Sequence, residues 1–226
     1  MFTDIVKKHK KLLHFAANIY NIVHWNNYWL FHTKCKFLLT GAFLNRCRFQ
    51  IDGTNNHVTV GAKARLKNCR ITIIGNNNHL FIGGGHTIIR NTHFWLQGDG
   101  CKIIIGEDFT MESGHIASTE GESITIGNDC MFSNDVEIRN GDSHAIFNNQ
   151  HKRINKATPV IIGNHIWLGA HARIMKGSNI PDGCIIGNSC VVSKPLDRQN
   201  AIYAGIPAKV INENITWDRF IPKCSE

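Results

Sequence analysis

The chain has eight cysteines but no CxxC pair. Cys35, Cys47, Cys69, Cys101, Cys130, Cys184, Cys190 and Cys224 stand singly, a pattern unlike zinc sites and disulfide frameworks. Free, buried thiols in a reducing compartment are the expectation, and no metal is expected. The amino-terminal stretch lacks the continuous apolar core and small-residue cleavage site of a secretory leader. Charge is missing altogether from Leu12 to Thr33. That run is still a poor membrane span, because His14, Asn18, Asn21, His24, Asn26 and Asn27 interrupt it. No basic stripe interleaved with stacking aromatics is present, which argues against nucleic acid as a partner.

What the sequence does have is a six-residue beat. Ile162, Leu168, Ile174, Ile180, Ile186 and Val192 fall on one register without a slip. Glycine often follows (Gly163, Gly169, Gly187), and Ile166, Ala172, Ser178, Cys184 and Cys190 sit four residues on. A helix repeats at 3.6 residues and an isolated strand at 2, so neither explains a period of six. Short strands and tight turns wound into a parallel β-helix do explain it, each aliphatic residue stacking on its counterpart in the next coil. The fold expectation is therefore all-β, a hexapeptide-repeat solenoid.

The beat divides the chain. Residues 1–45 read as an amino-terminal helical segment, with Phe2, Ile5, Val6, Leu12, Leu13, Ala16, Ile19, Tyr20 and Val23 at helical spacing and a Lys7–Lys8–Lys10–Lys11 cluster. Two readings stand for it. A solenoid needs its open end covered, which favours a capping helix. The lysines, with Trp25, Tyr28, Trp29 and Phe31 nearby, also suit a peripheral membrane contact through residues 1–33. Residues 46–195 read as the β-helix. Its early part, anchored at Val60–Gly61, Ile74–Gly75, Ile82–Gly83, Ile105–Gly106 and Ile126–Gly127, is irregular, as if small insertions bulge from the turns. The beat tightens through Ile126, Phe132 and Ile138 and reaches His144 in the same register. It then breaks over 145–159, a polar and basic stretch expected to form an external loop. Residues 196–226 form the tail.

The residues Gly163 to Ala170 (GNHIWLGA), the coil Pro181 to Asn188 and the segment Ala204 to Ile211 (AGIPAKVI) resemble the left-handed β-helix acyltransferases. Glu137 to His144 (EIRNGDSH) resembles, within that family, the bacterial capsule and sialic-acid O-acetyltransferases. The resemblance implies a left-handed solenoid, a homotrimer, active sites shared between neighbouring subunits, acetyl-CoA as cosubstrate and a carbohydrate acceptor. It also implies a cytoplasmic protein that could work at the inner face of the bacterial membrane. The net charge of +8 agrees with anionic ligands such as CoA phosphates or an acidic glycan.

Transfer of an acetyl group to a sugar hydroxyl needs a base for the hydroxyl proton, and histidine suits that role near neutrality. His144 is the candidate by its place beside the loop and by the resemblance. A carboxylate would orient it; Asp142 is preferred over Glu137. Trp167 is read as a wall of the acetyl-CoA or acceptor site, against the plainer reading of interface packing. The cofactor positions implied are Trp167, Gly169, Ala170, Asn188, Ser193, Lys194 and Lys209, with Asn212 standing where the family often has a second basic residue. For the acceptor, Arg139, Lys152 and Arg153 suit a carboxylated sugar, and Glu112 and His115 sit in an upstream coil that could face the same groove. Three alternatives remain: an acetyltransferase on a small acceptor, a carbonic-anhydrase-like zinc enzyme (disfavoured, since Asn149 stands where a second histidine belongs) and a non-catalytic scaffold.

Overall fold

The structure, a computed structural model, describes residues 10–23, 27–31 and 35–221. Among these residues there is one helix, α1 (Lys10–Val23), and a long run of short strands. The strands follow one another in the order A, B, C through three sheets. Sheet A has eight strands, from Tyr28–Phe31 to Val191–Val192, and sheet B seven, from Cys35–Leu39 to Asn179–Ile180. Sheet C has nine, starting at Phe43–Asn45. Every pairing is parallel except that of the last strand, Lys209–Asn212, which adds antiparallel to Ile202–Ala204. The result is a left-handed parallel β-helix of triangular section, as the six-residue beat requires.

Its core consists of columns of residues in register. Phe49, Ile71, Phe94, Ile116, Ile138, Ile174 and Val192 stack inside sheet A. Val60, Ile82, Ile105, Ile126, Ile162 and Ile180 stack inside sheet B. Leu44, Leu66, Ile89, Met111, Phe132, Leu168 and Ile186 stack inside sheet C. All are buried, and each contributes on the order of 1.5–3 kcal/mol by leaving water. Cys47, Cys69, Cys101, Cys130, Cys184 and Cys190 are buried and free. Burial pushes the Cys130 thiol up to about 12 and Cys190 to about 11.

The irregular early repeat has a simple cause. Arg48, Arg70, His93, His115 and Glu137 are lateral neighbours, so these coils are 22 or 23 residues long. Between Arg173 and Val191 a coil takes the 18 residues of three hexapeptides. The surplus goes partly into longer strands and partly into the corner between sheets A and B. Glycines turn that corner at Gly53, Gly75 and Gly98, with φ near +110°. The step from Glu137 to Arg173 is 36 residues, and its excess is the external loop, thrown from the same corner.

Two boundaries differ from the sequence reading. The first coil is already formed by Tyr28–Phe31, Cys35–Leu39 and Phe43–Asn45, so the solenoid starts well before residue 46. Alternating aromatic and polar residues there hid the hexapeptide signal. Ile202–Ala204 continues sheet C beyond residue 195. Helix α1 covers the open end: Leu13 and Ala17 are buried, and Asn21 donates to the Ala42 carbonyl (3.0 Å) and accepts from the Leu44 N–H (2.8 Å). Phe2, Ile5, Val6, Lys7, Lys8 and Trp25 lie outside the described residues. No described helix is long and apolar enough to cross a membrane.

The corner glycines give a direct test. A Cβ on Gly75 (φ +117°) would sit 2.2 Å from the Gly98 carbonyl oxygen, whereas one on Gly100 (φ +79°) meets nothing within 4 Å. Gly75→Ala is expected to cost about 3 kcal/mol or more, through overlap added to strain, and Gly100→Ala about 1 kcal/mol. Urea unfolding of the two variants measures the difference.

Candidate active site

His144 lies where the loop leaves the A–B corner. Its side chain is exposed, and its ring has no hydrogen-bond partner among the described residues. The register count had placed it at an inward position, and the structure corrects this. The chain has already turned out of the coil at Gly141, because Asn140 fills the buried corner and bonds the Thr119 N–H through Oδ1 (2.8 Å).

The segment is held by Asn155, which is 6% exposed. Its Nδ2 donates to the His144 carbonyl (2.7 Å) and to Asp142 Oδ2 (2.8 Å), and its Oδ1 accepts from the Ile146 N–H (2.7 Å). Lys176, from the next coil, pairs with Asp142 Oδ2 at 2.5 Å. That ammonium, more than the Asn155 amide, holds the Asp142 carboxyl below its usual range against a small effect of burial. Asp142 is therefore directed at Lys176 and Asn155 rather than at the His144 ring. Glu137 is engaged by Arg139 (3.5 Å) and Arg173 (3.4 Å). Neither carboxylate orients the imidazole; the backbone of His144 is what is fixed.

The other acceptor candidates divide. Arg139, at the end of Val136–Arg139, reaches Ser143 Oγ (2.6 Å) beside His144. Arg153 braces the loop through a two-pronged pair with Glu120 (2.9 and 2.5 Å), while Lys152 stays exposed. His115 stands on the outer face of sheet A between His93 and Glu137. Its ring stacks on His93 at 5.0 Å, and its Nε2 is buried with no partner among the described residues. Glu112 belongs elsewhere. It pairs with Arg90 (2.5 Å) at the C–A corner, so in one protomer it does not face His144.

Trp167 is on the outer face of sheet C, flanked laterally by Met131 and Ile185, with 37% of its surface exposed. Gly169 and Ala170 follow at the C–A corner, and Asn188 lies one coil on. Asn188 Oδ1 accepts the Ala170 N–H (3.0 Å) and would lie 2.4 Å from a Cβ on Gly169. The Ala170 carbonyl accepts from the Ser189 N–H (2.8 Å), so both backbone groups of Ala170 already serve the turn. Lys209 is exposed on the last strand of sheet C. Ser193 and Lys194 are exposed at the A–B corner, below Lys176.

Sequence reasoning missed Asn155, Lys176 and a strap formed by the tail. Trp217 stacks on His165 (4.0 Å, 13°) and leans on Trp167 (5.9 Å, 50°). Arg219 reaches Asp129 Oδ1 (2.8 Å), Thr110 Oγ1 (2.8 Å) and the carbonyls of Asp108 (2.9 Å) and Cys130 (3.0 Å). Burial would raise the Asp129 carboxyl, but Arg219 and His165 hold it below its usual range. The tail thus walls one side of Trp167. No six-residue register covers these residues, so pattern reading had no signal for them.

A stacked solenoid with an exposed histidine at a looped-out corner and an exposed tryptophan on another face is the arrangement of the hexapeptide acyltransferases. The polysialic acid O-acetyltransferase of Neisseria meningitidis is 34% identical over 188 residues, covering 80% of this chain and 83% of that protein. The polysialic acid O-acetyltransferase of Escherichia coli O1:K1 is 39% identical over 121 residues, and this match covers 53% of the chain and 39% of that relative's length. Among solved structures, the polysialic acid O-acetyltransferase OatWY superposes with a TM-score of 0.67 at 32% identity, covering 88% of this chain and 91% of the other. The polysialic-acid-specific acetyltransferase NeuO gives 0.68 at 29%, with 86% of each chain covered. No protein-family model matches the chain. The chain belongs to the hexapeptide-repeat O-acetyltransferases, in the group of the capsule and sialic-acid enzymes.

Two measurements test the site's physics. Asn155→Ala removes three hydrogen bonds around a buried group and is expected to cost about 1–3 kcal/mol. It should lower kcat more than it raises KM, because it frees the His144 backbone. The second concerns pH. Burial, then His115 and Arg70, push His93 down from 6.5 to about 4. A lowered folded value favours the neutral ring, so this contribution is complete above pH 6.5 and fades as pH falls toward 4. The thermal midpoint should drop across that interval, and His93→Gln should flatten the drop.

Proposed function

We propose that the chain is an acetyl-CoA-dependent O-acetyltransferase that esterifies a hydroxyl of a capsular or other surface carbohydrate, with a sialic-acid polymer as the first acceptor to test. The observation that carries this is the alignment with the meningococcal polysialic acid enzyme, which runs over four-fifths of both chains and includes the His144 corner and the Trp167 coil.

The bound thioester supplies an activated acetyl group. His144 takes the proton of the attacking hydroxyl as its oxygen bonds the acyl carbon, and the carbon–sulfur bond breaks without an acyl-enzyme. The exposed, unpartnered ring is open to an incoming hydroxyl, and Asn155 fixes the backbone that carries it. Arg139, beside His144, offers a guanidinium to an acidic sugar. Asp142 acts through Lys176 and Asn155 as a positioning residue.

The thioester side fits sheet C. Trp167 gives a flat apolar wall, Gly169 leaves the turn free of a Cβ, and Lys209 offers a cation to phosphate. In the triangular section, sheet C lies opposite the A–B corner. His144, Arg139, Lys152, Arg153, Ser193 and Lys194 therefore stand on one side of a protomer, and Trp167, Gly169, Ala170, Asn188 and Lys209 on another. A cleft that uses both sets forms when the A–B corner of one copy meets sheet C of the next. This separation supports a homotrimer with the active site shared between subunits.

His144→Ala is expected to lower kcat by roughly 10²–10⁴-fold. CoA should still raise the thermal midpoint of the variant, as it does for a ligand bound only by the native state. Near-normal turnover by that variant on polysialic acid would overturn the assignment of the base. Activity on small amines alone would overturn the acceptor class.

A further inference from the structure

The charge of this chain is unevenly placed. Thirteen of its 25 Lys and Arg but only two of its 17 Asp and Glu lie in residues 1–98. That half carries +11, and residues 99–226 carry −3. The first coils and the helix that covers them are therefore a strongly positive pole, remote along the solenoid from the His144 corner.

The same pole exposes apolar surface. Helix α1 buries Leu13 and Ala17 against the first coil, yet Leu12, Phe15 and Ile19 are 45%, 66% and 46% exposed. At 100° per residue these three form one stripe on the side of the helix opposite Leu13 and Ala17. Capping the solenoid therefore uses one face of α1 and leaves a second apolar face pointing away from it. Tyr28 (56%) and Trp29 (39%), on the first strand of sheet A, are exposed at the same end. Beside the helix is a groove of about 430 Å³, lined by Tyr20, Phe43, Arg65, Lys67 and Arg90 among others. It combines aromatic walls with cationic groups, the chemistry that takes an acidic phosphate headgroup.

We propose that this end of the solenoid docks on an anionic lipid surface. The Leu12–Phe15–Ile19 stripe enters the headgroup boundary, and the basic pole supplies the attraction. A protein or glycan partner is disfavoured by the combination: a polyanionic glycan has no use for an aliphatic stripe, and an apolar protein partner has no use for a charge of +11. The solenoid then stands end-on, with its catalytic coils held away from the bilayer.

The test is flotation of the full chain with vesicles. Binding is expected to vesicles containing phosphatidylglycerol, to weaken as salt is raised, and to be absent with phosphatidylcholine alone. The variant Leu12→Gln, Phe15→Gln, Ile19→Gln should lose roughly a hundredfold in vesicle affinity. It should keep its oligomeric state by light scattering and its turnover on a soluble glycan, since none of the three residues is in the site. Three results would overturn the proposal: no flotation with acidic vesicles, flotation that survives the triple substitution, or a triple variant whose oligomeric state changes, which would make the stripe a contact between copies.

Discussion

Everything in this molecule depends on lateral registry. Each coil offers the next a strand edge, an aliphatic residue at the same height and a turn of the same shape. Backbone hydrogen bonds alone would tolerate a slip of one residue, but such a slip would turn Ile116 outward and His115 into the core. The inward columns forbid it. Once the columns are in place, each outward position is also fixed relative to its neighbours one coil away, and outward positions are where chemistry can be carried at no cost to the core.

That freedom is not uniform around the triangle. Extra residues are absorbed repeatedly at the A–B corner, first as short glycine turns and then as the loop that bears His144. A corner that already accepts length variation tolerates a functional insertion, because the strands on either side stay in register. The loop is nevertheless well anchored. Glu120, Asn140 and Lys176 belong to coils, and they hold Arg153, Thr158 and Asp142 through short contacts. The base therefore sits on a projection whose root is rigid.

How much was legible in the sequence follows from the same asymmetry. Ile162 to Val192 announced the fold because 18-residue coils repeat without insertions. Residues 28–60 did not, since 22-residue coils with five-residue strands blur the beat. His144 and Trp167 could be found from their neighbours in sequence. Asn155, Lys176, Trp217 and Arg219 could not, because each acts across coils, and Arg219 bonds a carbonyl 111 residues away. Ala170 was read as a free backbone contact, yet its turn already uses both its groups.

The turns at the B–C corner are chained in one direction. Asn128 Oδ1 accepts the Glu107 N–H, Asn164 Oδ1 accepts the Asn128 N–H, and Asp182 Oδ1 accepts the Asn164 N–H. In each case the acceptor belongs to the later coil. During synthesis, a coil of this series emerges with its turn incomplete and is finished only by the one translated after it. The growing front is always one coil ahead of its own stabilisation, and the strap of Trp217 and Arg219, last to appear, reaches back across this corner to Asp108 and Cys130. The chain is thus assembled like a zip whose slider is its own carboxy terminus.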